Sequence, residues 1–239
     1  MRVPFCIGLY CVLLGVSGCH SPSDVEDWRT LEIPAQDFVL LPCDTPQVDA
    51  PCALVVAGGK RVLIGAPAGS GQAMRAADLR QLDAVITFSL RSRDIEGLDE
   101  VRNRSWHVGR TAPLLTIGAP GIEQVVGALN LAFEQADALY VVEQGAPPGG
   151  YDAAILVARS VAAGRTVFDT GDLKIYRVAD GFQIEYSNGA SAVLFPCDPA
   201  RTSAPAEGTN SATIIGCDGE VGDYSWPLTM PIFLRPSES

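Results

Sequence analysis

Residues 84–98 read Ala84-Val85-Ile86-Thr87-Phe88-Ser89-Leu90-Arg91-Ser92-Arg93-Asp94-Ile95-Glu96-Gly97-Leu98, an apolar run that breaks into an arginine-bearing polar turn ahead of a glycine. Ala84–Phe88 has the unbroken apolar character of a strand buried on both faces. Upstream, Ala53–Ala57 and Arg61–Ile64 are short β-rich runs joined through Gly58-Gly59-Lys60, the composition of a tight hairpin, and Phe38–Leu41 is a further strand before them. Gln72–Leu82 sets Met74, Ala77, Leu79 and Leu82 among Arg and Asp, which predicts a short amphipathic helix. Downstream, Leu114–Ile117 is a strand, and Pro120-Gly121 introduces a helix over Ile122–Ala136, where Ile122, Val125, Val126, Leu129 and Phe133 recur at helical spacing. Beyond Gly145 the pattern returns to strands, at Ala153–Val161, Leu173–Val178, Phe182–Tyr186 and Ala192–Phe195, with Asp180-Gly181 as a hairpin turn. After Arg201 the chain is rich in Ser, Thr, Pro and Gly, and only Thr213–Gly216 and Met230–Leu234 are strand-like.

The 239 residues carry 47% apolar and 19% charged side chains, enough for an ordered core. Against 17 Lys and Arg stand 28 Asp and Glu, and the net charge of −11 argues against nucleic acid as the main partner. There are two histidines, His20 and His107, so a histidine-rich metal site is excluded.

Residues 1–18 hold one charge, Arg2, then an apolar run from about Ile7 to Val16, too short for an anchoring span and laid out as a secretory leader. Its end, Val16-Ser17-Gly18-Cys19, resembles a bacterial lipobox, which implies cleavage before Cys19 and lipid on that cysteine. The expected location is the bacterial cell envelope, anchored to the membrane through Cys19 and facing the periplasm. His20, where an aspartate would signal inner-membrane retention, favours the outer membrane. Residues 19–34 read as a polar tether and residues 35–239 as the folded domain. Beyond Cys19 the processed chain keeps Cys43, Cys52, Cys197 and Cys217, an even number in an oxidising compartment, so two disulfides are expected. Of three pairings, Cys43–Cys52 with Cys197–Cys217 closes short loops worth about 2–3 kcal/mol each. Zinc is the alternative, but these spacings lack a paired C-x2-C knuckle.

Val85–Leu98 resembles the metal-binding signature of the metallo-β-lactamase superfamily, an apolar strand followed by T-H-x-H-x-D-H-x-x-G-L. The frame fits and the ligands are replaced: Phe88 stands for the threonine, Ser89 and Arg91 for the first two histidines, Arg93 for the aspartate and Asp94 for the third histidine. Four further fragments keep the family's order. Ala53–Ile64 resembles its early hairpin, Thr116–Gly121 its Y-G-P-P-G turn, Asp172–Val178 its G-D-x-K-V strand, and Val193–Pro199, containing Asp198, the strand that ends in G-D-T. The matches run over about residues 38–200 and lie nearest the ribonuclease Z and arylsulfatase-like branch. The implied fold is α/β, an αβ/βα sandwich of two mixed sheets with outer helices and a shortened C-terminal half.

In that family two zinc ions activate a bridging water for attack on an ester or phosphodiester. A guanidinium about 4 Å from a divalent ion is repelled by several kcal/mol, so Arg91 and Arg93 are incompatible with the zinc pair and no cofactor is expected. The former metal-site positions are therefore Ser89, Arg91, Arg93, Asp94 and Asp198, with no catalytic residue assigned. One consequence is a plug in which Asp94 pairs with Arg91 or Arg93. Another is an anion cluster on Arg91 and Arg93, since guanidinium groups suit phosphate, sulfate or carboxylate. The expected function is a non-catalytic binding protein, a pseudoenzyme whose partner is a small anion or another protein. The alternative is a divergent hydrolase with residual phosphoesterase- or sulfatase-like activity on Asp94, Asp198 and His107, and a third is an envelope lipoprotein of unrelated fold. Ser70 in Gly69-Ser70-Gly71 lacks the full nucleophile elbow, and Gly65–Gly71 lacks the Lys-Ser/Thr of a phosphate loop.

Overall fold

The structure, a computed structural model, describes residues 27–47, 50–179, 181–197, 212–217 and 222–236. The leader, Cys19, His20, Asp180 and Asp198 lie outside the described residues. Strands β1 (Phe38–Pro42), β2 (Ala53–Ala57) and β3 (Lys60–Ile64) form an antiparallel meander. The β2–β3 hairpin turns through Gly58 and Gly59, whose φ values of 58° and 72° are what a two-residue type I′ turn demands. Parallel strands β4 (Ala84–Ile86), β5 (Leu114–Gly118) and β6 (Leu156–Ser160) follow, and the late strand β13 (Ile232–Phe233) pairs with β1 to give the order β13-β1-β2-β3-β4-β5-β6. The second sheet, β12-β11-β10-β9-β8-β7, is built from β7 (Arg165–Asp169), β8 (Leu173–Val178), β9 (Gly181–Tyr186), β10 (Ser191–Leu194), β11 (Thr213–Gly216) and β12 (Tyr224–Ser225). Both sheets are mixed, the second through its parallel β10–β11 and β11–β12 pairs.

The sheets pack face to face. Phe38, Leu40, Val55, Val62, Ile64 and Ile86 meet Ile175, Phe182, Ile184, Ala192, Leu194 and Ile215 in one buried cluster. The alternate residues of the first sheet, Val39, Leu41, Leu54, Val56, Leu63 and Val85, bury against helical side chains Leu79, Leu98, Val101, Ile122 and Val126. Burial on both faces is why these strands read as continuous apolar runs, while β8 and β9 alternate with Lys174, Gln183 and Glu185 between buried positions. Among the described residues every element after Ala154 is a strand, which matches the shortened C-terminal half. Cys43–Cys52 ties the ends of β1 and β2, and Cys197–Cys217 ties the chain just after β10 and β11.

The helices differ from expectation. The region Gln72–Leu82 divides into α1 (Ser70–Ala73) and α2 (Ala76–Arg80), because Met74 and Arg75 are extended and Arg75 turns its guanidinium onto Asp78 and the carbonyl of Leu31. Two helices were not anticipated, α3 (Ser92–Ile95) and α4 (Leu98–His107). The long helix α5 (Ile122–Gln144) runs eight residues past Ala136, since Asp137 is not a surface charge ending the apolar face but the buried partner of Arg102 on α4. Ala153–Val161 is split between a 3-10 turn, Tyr151–Ala154, and β6. Strand β6 is an open edge, and α5 closes it: Asn130 bonds both the N–H (3.0 Å) and the C=O (2.9 Å) of Leu156, and Glu123 accepts from the Ser160 N–H at 3.1 Å. Residues 27–34 include a 3-10 turn, Trp28–Thr30, capped by Asp27.

Candidate functional site

Where β4 ends, the chain turns through Thr87, Phe88 and Ser89 into α3. Two loops are stitched together here. The Gly65 N–H bonds the Ile86 carbonyl (2.7 Å), the Ala66 N–H bonds the Asp94 carbonyl (3.1 Å), and the Gly97 N–H bonds the Ala66 carbonyl (2.8 Å). Gly97 has φ −90°, so its requirement is space rather than conformation: a Cβ there would lie 2.1 Å from the Pro67 carbonyl oxygen. The quoted sequence is thus folded so that Asp94 is buried beside Ser89 and Arg93 reaches the second sheet.

Asp94 is 2% exposed. One carboxylate oxygen accepts from Ser89 Oγ, which also accepts from the Arg91 N–H at 3.0 Å; the other has no hydrogen-bond partner among the described residues. Among the described residues no ion pair joins Asp94 to Arg91 or Arg93, against the expected pairing; its partner is Ser89. Arg93 instead reaches across the seam and donates from Nη2 to the carbonyl of Cys197, beside the Cys197–Cys217 disulfide, while its buried Nε–H has no partner among the described residues. Arg91 sits at the exposed N-terminal flank of α3.

A further cation joins them. Arg177 on β8 donates from Nη2 to the Phe88 carbonyl (3.2 Å) and lies 5.8 Å from the Phe182 ring, which itself packs on Phe88 with centroids 5.2 Å apart. Partial burial lowers the Arg177 pKa. Sequence reasoning passed over it, although the signal was present: Leu173, Ile175 and Arg177 share one phase of an alternating strand, so an arginine occupies a position that should be core.

The remaining candidates do not join this site. His107 ends α4, nine residues and about 14 Å along the helix from Leu98. It stacks on Tyr140 at 4.0 Å, and desolvation lowers its pKa despite the nearby Asp137 carboxylate. The alternative hydrolase therefore lacks its imidazole. Ser70 is fully buried and donates to the Pro67 carbonyl at 2.6 Å, a turn-holding role. In Gly65–Gly71 the Gly69 N–H is taken by Glu100 Oε1 at 3.2 Å, an acid where an anion would have to sit.

A zinc pair does not fit this donor set. Ser89 and Asp94 are coupled to each other, and the neighbouring positions carry guanidinium groups that repel a cation. Among the described residues no group of three or more His, Cys, Asp or Glu is placed to hold a metal ion.

Neither a family model nor a curated protein matches the chain. Among solved structures, it is similar to the metallo-β-lactamase fold protein YhfI from Bacillus subtilis, at 12% identity over 79% of this chain and 78% of that one, with a TM-score of 0.51. It is similar as well to the short form of human tRNase Z, at 12% identity over 79% and 84% of the two chains, again with a TM-score of 0.51. The chain has the metallo-β-lactamase fold, and among its described residues no metal-binding cluster occupies it.

Proposed function

We propose that this is a lipid-anchored, periplasm-facing envelope protein in which the metallo-β-lactamase fold serves binding rather than hydrolysis. Its former metal cleft takes a small anion of the phosphate, sulfate or carboxylate class. By the order of its motifs the chain stands nearest the ribonuclease Z and arylsulfatase-like branch. The observation that carries this reading is a guanidinium at a former ligand position, Arg93, bonded across the seam to the Cys197 carbonyl, joined by Arg177 of the second sheet on the Phe88 carbonyl, with the Arg93 Nε–H open among the described residues. An open guanidinium N–H beside a second arginine is a donor that an anion would satisfy with a charge-assisted bond.

The test is calorimetric titration of phosphate and sulfate into the chain from His20 onward, in parallel with Arg93→Gln. The expected result is saturable binding that weakens ten- to a hundredfold in Arg93→Gln, the loss of one charge-assisted hydrogen bond. Equal heats for both proteins, or none for either, would overturn the anion reading. The anchor is supported by the leader and its Val16-Ser17-Gly18-Cys19 ending. With Cys19→Ala the protein should pass from the membrane fraction to the soluble one, and retention in the membrane would remove lipid from the account.

A further inference from the structure

Helix α5 is apolar on two opposite faces. Ile122 and Val126 bury against the first sheet, with Val125 and Leu129 beside them. On the far side, Ala128, Leu131, Ala132, Ala138, Leu139 and Val142 lie within one broad face of the helix, interrupted by Gln135, and are all exposed, with Leu131 73%, Leu139 60% and Val142 83% accessible. An exposed apolar stripe of this kind ordinarily marks a contact surface, and this one runs from Ala128 to Val142 of a helix about 34 Å long. The open edge of β6 does not account for it, since Asn130 and Glu123 close that edge from another side of the helix.

Charge selects what covers it. From Thr111 to Ala158 there is no Lys, Arg or His, and the five charges are all acidic: Glu123, Glu134, Asp137, Glu143 and Asp152. Asp137 is neutralised by Arg102, Glu123 is taken by the β6 edge, and Glu134 and Glu143 are exposed on the helix beside the stripe. A second copy of the chain would set these acids against themselves, and an anionic membrane surface would be repelled by them. We propose that the outer face of α5 docks a basic-edged amphipathic helix of a partner protein, whose apolar face meets Leu131, Leu139 and Val142 and whose Lys or Arg flanks meet Glu134 and Glu143. This is the helix-on-apolar-stripe mode of recognition, with specificity carried by the charged rim.

The probe is a labelled synthetic helix of about 18 residues with a leucine face and lysine flanks, followed by fluorescence anisotropy against the chain from His20 onward. Leu131→Asn/Val142→Asn should weaken binding at least tenfold. Glu134→Gln/Glu143→Gln should remove most of its salt dependence, and Asp172→Asn in the β7–β8 turn should change neither. These positions are exposed, so circular dichroism should report an unchanged fold. Binding indifferent to the Leu131/Val142 pair would overturn the proposal as mere adhesion of a cation to an acidic protein. So would a concentration-dependent dimer in sedimentation velocity that the pair dissolves, which assigns the face to a second copy. Uptake on phosphatidylcholine vesicles that the pair abolishes would assign it to the membrane and overturn it equally.

Discussion

Asp137→Ala should lower the unfolding free energy by about 3–5 kcal/mol, the range for removing one partner of a buried ion pair. Arg102 has no exposed surface and Asp137 only 3%. Nη1 lies 3.0 Å from Oδ1, Nη2 bonds Oδ2, and the guanidinium also stands 5.1 Å from the Phe133 ring. Beside them Arg110, 2% exposed, donates to Ser105 Oγ at 3.0 Å; burial, with help from Arg102, pushes its pKa down to about 10. One carboxylate thus balances Arg102, and removing it leaves that buried guanidinium uncompensated beside Arg110. Arg102→Leu/Asp137→Leu, which removes a cation with the anion, should recover most of the loss. Urea midpoints at pH 7 measure both variants; a loss below about 1 kcal/mol for Asp137→Ala would mean that water, not burial, surrounds the pair.

The second large effect is at the site. In Gly97→Ala the new methyl would lie 2.1 Å from the Pro67 carbonyl oxygen and 3.2 Å from that of Ala66, and both neighbours are backbone, so two loops must separate. Overpacking of this kind costs about 1–3 kcal/mol, and the stitches between Gly97 and Ala66 and between Ala66 and Asp94 are each worth about 0.5–1.5 kcal/mol more. A fall of about 3 kcal/mol is expected, together with loss of anion binding, because the loop that moves carries Arg93 and Asp94. The exposed Gly127 on α5, with nothing within 4 Å, is the control: Ala there should stabilise by about 0.5–1 kcal/mol. Wild-type stability for Gly97→Ala in a thermal melt would show that the two loops are not in contact.

The parts of the fold legible in the sequence were those where local chemistry and tertiary demand agree. The Gly58-Gly59 turn, the doubly buried strands and the first four turns of α5 are of this kind, and so is the presence of two disulfides, although which of three pairings forms is settled only by the fold. Illegible were the elements whose side chains contradict their environment. Helix α4 carries Arg102 and Ser105 on its buried face beside Leu98, Val101 and Trp106, so its period is masked by polarity that only the pair with Asp137 explains. Strand β7 has a single fully buried residue, Val167, and is defined by its pairing with β8. At the site the sequence sets Ser89, Arg91, Arg93 and Asp94 within six residues, but whether Asp94 meets an arginine or a hydroxyl depends on rotamers and on the second sheet. Arg177, 79 residues beyond Leu98 in the chain, enters only through that sheet.

The measurement that tests the central claim most directly is the metal content of the chain from His20 onward, purified from periplasm without chelator and read by mass spectrometry alongside Asp94→Ala. The account predicts a substoichiometric, unselective trace of transition metal in both proteins. A near-stoichiometric metal that disappears in Asp94→Ala would contradict it, returning the cleft to metal-dependent hydrolysis and making Arg91 and Arg93 bystanders.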